Sequence, residues 1–279
     1  MIKIVAVFDG LKFSEATLAH SIRLAKEKKA HLVGLFLEDF TYQSFSKYQA
    51  IVKDQLTNEE IEKLEKKDDE IRAASRQRFA QACNDAGIDF SKHKEDNVAF
   101  PSLVQESIYA DLVIIDQKET FMRLDERIPT QFVTDFLGAT ECPVLLVNNA
   151  DPFSSVAMLF DGSPNSVFAI KQFSYVMGQH PGLEKEVITV KKPENSLHLP
   201  DGHLMKEFMT RHFPTAEFRV VKGLVADVEI PQYLKSKPGN VLVVLGAYKR
   251  GAVSRWFKES MADVLMKSLS NPLFIAHAK

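Results

Sequence analysis

No stretch of this 279-residue chain approaches the roughly 18 consecutive apolar residues of a membrane-spanning helix, so no membrane partner is expected. The opening MIKIVAVFDG reaches Asp9 too soon to be a signal h-region and reads as a first strand. Cysteine is nearly absent. Cys83 and Cys142 cannot make a disulfide framework or a zinc site, and two reduced thiols fit a cytoplasmic protein. An excess of charge is also missing: 35 Lys and Arg against 37 Asp and Glu give a net charge of −2, which argues against a nucleic-acid partner. There is no G-x-G-x-x-G after the first strand, no G-x-x-x-x-G-K-[ST], and no G-x-S-x-G elbow. His198, His203 and His212 lack the i,i+4 spacing of a helical metal pair, and Pro200-Asp201-Gly202 breaks the segment, so they read as scattered surface histidines with no metal. Asp9 and Asp161 are single carboxylates without a second acid in a motif. No catalytic residue is therefore expected, and the chain is not expected to be an enzyme.

What is present is ordinary globular composition, 45% hydrophobic and 26% charged, at a length that suits about two domains. The chain also repeats itself. VFDGLKFS at 7–14 returns as LFDGSPNS at 159–166, each after an apolar run and each leading into a helical pattern. ADLVIID at 110–116 returns as GNVLVVL at 239–245, and ECPVLLVNN returns as SNPLFIAHA with Pro143 matching Pro272. Each half reads β-α-β-α-β-α-β-α-β. The Val-, Ile- and Leu-rich strands without alternation fit parallel sheets buried on both faces. The expected fold is α/β, two tandem doubly wound sheets of five mostly parallel strands. The first domain spans 1–149 and the second 153–279, joined by the polar NADPF linker at 149–153. The first is longer at about 40–78, where TNEE at 57–60 is a capping box opening a long helix after an aromatic segment. Within that helix KLEKKDDE reads as a solvated face. Phe40, Tyr42, Phe45 and Tyr48 read as core or as a partner surface.

In such folds ligands bind beyond the carboxyl ends of the strands. Three places qualify in each half. The first is the turn after strand one, Asp9-Gly10 or Asp161-Gly162, where the aspartate could take a ribose hydroxyl or could satisfy turn amides. The second is the end of strand two, Leu37 or Val190. The third is the loop after strand four, which in the second half is LGAYKRGAVSRWFKES.

The aspartate turns, the glycine loop and the CPV before the last strand together resemble the universal stress protein family in its tandem form, over essentially the whole chain. The resemblance implies an adenine nucleotide alpha hydrolase-like fold, a non-catalytic stress-response role, and ATP or AMP as a possible ligand. It also implies a phosphate loop of the form G-x2-G-x9-G-[ST]. In the second half Leu245 ends the strand, Gly246 matches the first glycine, Lys249 stands at the second, Glu259 at the third, and Ser260 matches the hydroxyl residue. In the first half the positions are Gln117, Thr120, Thr130 and Gln131, so the site reads as lost there. Glu259 against a phosphate would cost ~4 kcal/mol at about 4 Å and an effective dielectric near 20. Lys249, Arg250, Arg255 and Lys258 could hold phosphate instead, or could be a solvated helix start. The expected nucleotide-binding residues are thus Asp161, Gly162, Val190, Leu245, Gly246, Lys249 and Ser260. Family sheets pair through their last strands, which implies an intramolecular pseudo-dimer of the two halves and a possible homodimer. A ligand-free interaction scaffold and a weak ATP hydrolase are the alternatives.

Overall fold

The alternation read from the sequence is the alternation found. The computed structural model describes residues 2–37, 43–95, 98–178, 182–194, 199–247 and 260–278. The first run of elements is β1 (Lys3–Asp9), α1 (Glu15–Lys28), β2 (His31–Leu37), a π-helical turn at Gln49–Lys53, α2 (Asn58–Ala86), β3 (Phe90–Glu95), α3 (Ala99–Ile108), β4 (Leu112–Asp116), α4 (Gln131–Ala139) and β5 (Val144–Val147). The second run is β6 (Ser155–Leu159), α5 (Pro164–Val176), β7 (Glu184–Lys191), α6 (Gly202–His212), β8 (Glu217–Lys222), α7 (Ala226–Lys235), β9 (Val241–Leu245), α8 (Met261–Ser268) and β10 (Leu273–Ile275). The chain divides into two compact units, Met1–Phe136 and Leu137–Lys279.

In the first unit the strand order is β3-β2-β1-β4, all parallel. β1 sits between β2 and β4, with Val5 beside Val33 and Val113. Residues 4–9 of β1 and 112–115 of β4 are buried, as strands covered on both faces must be. Helix α1 starts because Ser14 Oγ accepts the Thr17 amide, and it ends at Lys29 in the left-handed region (φ 49°). Helix α2 opens on the capping box foreseen at Thr57 and Glu60 and stops at Gly87 (φ 65°). Phe79 and Cys83 face inward from it. Phe79 meets Phe8 and Phe36 with ring centroids 5.5 and 5.9 Å away. Gly34 makes room for that ring, since a Cβ there would lie 2.5 Å from the Phe79 edge. The charged run on α2 is solvated except at Asp68, which is buried and accepts the Ser44 amide at 2.8 Å. This side chain has a structural role that the run's composition hid. Tyr48 is exposed and Phe45 half-buried, whereas Phe40 and Tyr42 lie outside the described residues.

In the second unit the order is β5-β10-β9-β6-β7-β8. All neighbours run parallel except β5 and β10, which pair antiparallel with Leu145 opposite Phe274. Helix α5 is capped by Ser163, not by Ser166, the serine that falls at the repeat position of Ser14; Ser166 lies in the first turn. Pro164 holds the first helical position, where no amide is needed. The chain leaves β6 toward β7 on one side and reaches β9 on the other, so a topological switch lies between β6 and β9. Among the described residues no helix is long and apolar enough to cross a membrane.

Candidate functional site

A cavity of about 340 Å3 opens at that switch, beyond the carboxyl ends of β6, β7 and β9. Its walls are mostly apolar: Leu159, Phe160, Ile188, Val190 and Leu245 from the strand ends, and Ile230 from α7. Asp161, Ser166, Thr189 and Asp227 supply the polar groups. Four expected residues, Asp161, Val190, Leu245 and Gly246, meet here. Gly162 and Ser260 do not line the cavity, although Met261 does. Lys249 lies outside the described residues, as do Glu259 and the rest of the basic set. Sequence reasoning missed the α7 side, Ala226, Asp227 and Ile230. The only available signal was the general rule that the crossover after the third strand also ends near the switch.

The local chemistry explains most of the turn without a ligand. Asp161 Oδ1 accepts the Ser163 amide at 2.9 Å, and Gly162 takes φ 84°, which a side chain rarely adopts. Desolvation pushes the Asp161 carboxyl up, but hydrogen bonds from Ser163 and Ser166 outweigh it and hold it below its usual value. It is therefore an ionised acceptor, not an acid. Gly246 is required by packing: a Cβ there would lie 2.5 Å from the Asn165 carbonyl oxygen at the start of α5. Ser260 is the N-cap of α8. Its Oγ accepts the Ala262 amide at 3.3 Å, and its own amide donates to Asp263 at 3.2 Å.

The matching place in the first unit is filled by the protein. Asp9 is buried and accepts the Leu11 amide at 2.7 Å. Ser75 of α2 donates to the Gly10 carbonyl at 2.7 Å, and Arg72 lies so close over Gly10 that a Cβ would sit 2.9 Å from its Cγ. The loop after β4 folds onto itself. Glu119, buried, accepts the amides of Thr120 (3.0 Å) and Phe121 (3.2 Å), and Thr130 donates to the Glu119 carbonyl at 2.6 Å. Burial first, then the charges of Asp9 and Asp116, push the Glu119 carboxyl up to about 8. Thr130 also caps α4 by accepting the Val133 amide at 3.2 Å. Gln117, Thr120 and Thr130 are all buried.

A wider, shallower cleft of about 720 Å3 lies at the opposite ends of the second unit's strands, around Asn149, Lys235, Asn240 and Asn271. Its asparagines are committed to structure: Asn240 donates to the Asp151 carbonyl and Asn271 to that of Val241. Ligands of this fold sit beyond the carboxyl ends of the strands, where the switch cavity lies. Of the histidines, His198 is outside the described residues. His212 bonds Ser174 at 2.8 Å and stacks near Phe208. Among the described residues no cluster of His, Cys, Asp and Glu is arranged to hold a metal.

No family model matches the chain, and no curated protein does. Solved structures do. A universal stress protein from Archaeoglobus fulgidus DSM 4304 is 16% identical, with a TM-score of 0.68 over 99% of this chain and 98% of that one. A presumed universal stress protein from Pseudomonas aeruginosa UCBPP-PA14 is 15% identical, with a TM-score of 0.60 over 99% and 92%. A functionally unknown protein from Pseudomonas aeruginosa PAO1, also 15% identical, scores 0.58 over the same shares. With β1 to β10 in this order and full-length likeness to such structures, the chain has the α/β fold of the universal stress proteins.

Proposed function

We propose that this chain is a tandem universal stress protein, a non-catalytic binding module of the cytoplasm whose small-molecule site lies in the second unit alone. The switch cavity carries the reading. It joins Asp161, Val190, Leu245 and Gly246 at the place where this fold takes its ligands, and its volume falls at the low end of the roughly 300–1,000 Å3 usual for small molecules. The sequence resemblance supplies the ligand class, an adenine nucleotide such as ATP or AMP, with Asp161 as acceptor for a ribose hydroxyl. Gly162 and Ser260 shape the turn and the helix start around it. Lys249 enters on its sequence position alone. An ionised Asp161 suits an acceptor role toward a ribose hydroxyl.

For the first unit a scaffold role is favoured by one observation: Arg72, Ser75 and Glu119 occupy the turn and loop that a ligand would use. The two repeats, 1–149 and 153–279, would be copies of one ancestor. The antiparallel β5–β10 pair supports the pseudo-dimer that the resemblance implies. Association of two chains into a homodimer belongs to the same reading.

Calorimetry and thermal shift on the full chain test it, with adenosine, AMP, ADP and ATP, with and without magnesium. A ligand at a hundred times its Kd should add about 3 kcal/mol of stability. Ala226→Trp, which places a ring in the cavity from the start of α7, should abolish the shift while the apo chain stays folded. No shift at millimolar concentration of any of these compounds leaves the scaffold reading for both units. Phosphate release from ATP would replace the module with a hydrolase.

A further inference from the structure

Three side chains at the amino ends of β2 and β3 form one hydrogen-bonded chain. Helix α1 stops at Lys29 and helix α2 at Gly87, both in the left-handed region, and each hands the backbone to a strand within a few residues. That sets His31 at the start of β2 and Asp89 just before β3. The Leu32 amide locks the step by donating to the Asp89 carbonyl at 3.0 Å, and Val33 then pairs with Ser91. His31 Nδ1 lies 2.8 Å from Asp89 Oδ2, and His31 Nε2 lies 3.1 Å from Ser91 Oγ.

The order of these bonds decides their chemistry. The Asp89 carboxylate only accepts, so it places the ring proton on Nδ1. Nε2 of the neutral imidazole is then an acceptor, and the Ser91 hydroxyl donates to it. A hydroxyl bonded to a base that a carboxylate orients is the arrangement of an activated nucleophile. His93, two residues further along β3, stands outside it: Nδ1 of its ring meets Glu106 Oε1 at 2.6 Å, and Lys3 holds the other Glu106 oxygen at 3.1 Å.

An oxyanion donor stands beside the hydroxyl. Among the described residues no strand continues the sheet beyond β3. Because the Asp89 carbonyl is turned to β2, the alternation of a parallel ladder turns Ser91 the same way and Lys92 to the open edge. The Lys92 amide, next along the chain from Ser91, therefore points out where a carbonyl oxygen attacked by Ser91 would gather charge. Ser91 and His31 are half-buried and Asp89 is exposed, so a small reagent reaches the group from solvent.

We propose that Ser91 is a nucleophile that takes the acyl group of an activated ester, with His31 as its base and Asp89 as the positioning residue. Ser91 Oγ bonds the acyl carbon, and the ester C–O bond breaks. The leaving oxygen departs with the electron pair, and the Ser91 proton passes to His31 Nε2 and on to that oxygen. This is a covalent modification of the first unit, independent of the second unit's cavity and its ligand.

The experiment treats the full chain with p-nitrophenyl acetate at neutral pH, follows nitrophenolate release, and maps the acetyl group by mass spectrometry. A fast phase of one equivalent should place the acetyl group on Ser91. Ser91→Ala should remove that phase, and His31→Gln should slow it by about a hundredfold or more. Asp89→Asn should slow it by about tenfold, and Asp89→Glu should recover much of the loss, a rescue that a merely structural carboxylate would not give. Urea midpoints close to wild type should show that each variant is folded. Acetylation confined to lysines and the chain start, or a fast phase that survives Ser91→Ala or His31→Gln, overturns the proposal. Equal rates for Asp89→Asn and wild type overturn the part given to Asp89.

Discussion

Glu119→Gln should remove a fall in the stability of the first unit as pH rises from 5 to 8. The wild-type carboxyl is buried, receives two amides on one oxygen, and is pushed up to about 8 by burial and by the charges of Asp9 and Asp116. Unfolded, it titrates near 4.5. Between these values the folded chain keeps the proton and the unfolded chain has lost it. The unfolded state then binds fewer protons, so stability falls as pH rises through this window, by up to 1.4 kcal/mol per unit. Over the interval the loss approaches ~5 kcal/mol, comparable with the ~5–15 kcal/mol that holds a typical domain together. Glutamine keeps the oxygen that accepts the Thr120 and Phe121 amides and carries no charge. Urea unfolding of both proteins at pH 5, 6, 7, 8 and 9 checks this. The wild type should weaken steadily to about pH 8, and the variant should overtake it by several kcal/mol there. Parallel curves for the two proteins, or a variant weaker than wild type at pH 8, would refute the argument.

Three further outcomes follow from packing and capping. Phe79→Ala should destabilise the first unit by about 3–5 kcal/mol in urea unfolding, because the ring is fully buried against Phe8 and Phe36. Thr57→Ala removes one side of the capping box and should cost about 1 kcal/mol, read as a lower urea midpoint with an unchanged slope. In native buffer a thiol reagent should modify Cys142 first, since it is only half-buried. Cys83 is fully buried, with burial pushing its thiol up to about 12, and should react only on unfolding. Two thiols modified at one fast rate would count against the core placement of α2.

The sheet was legible because parallel strands leave a strong signature. VLVVL and LVIID are apolar at nearly every position since both faces are covered, and the repeats fixed their order in the chain. Caps were legible where they are local, as at Thr57. The repeat does not carry the cap with it: Ser14 caps α1, whereas Pro164 sets the first residue of α5 and makes Ser163 its cap. The cavity was half legible. Asp161, Val190, Leu245 and Gly246 follow from strand ends, which sequence locates well. Asp227 and Ile230 come from a helix whose approach to the switch is a tertiary fact. Asp68 and Glu119 were opaque for a related reason: an acidic side chain in a polar stretch looks solvated until the amides that donate to it are known.

The turn and loop of the first unit are filled by the protein's own side chains. A loop built to hold an anion has inward amides, and an emptied loop leaves them unsatisfied at about 1–3 kcal/mol each. In the first unit Glu119 bonds two of them, and the longer α2 brings Ser75 and Arg72 onto the turn beside Asp9. The extra length at 40–78 and the loop after β4 thus act on the same place, Ser75 and Arg72 at the Gly10 turn and Glu119 at the loop amides. Glu119→Ala tests this. If the Glu119 carboxyl oxygen is what satisfies these amides, its removal should free Thr120 and Phe121 N–H and raise their hydrogen exchange by about an order of magnitude or more, with millimolar sulfate restoring protection. Unchanged exchange at these two amides would mean that the loop is held by Thr130 and its neighbours alone.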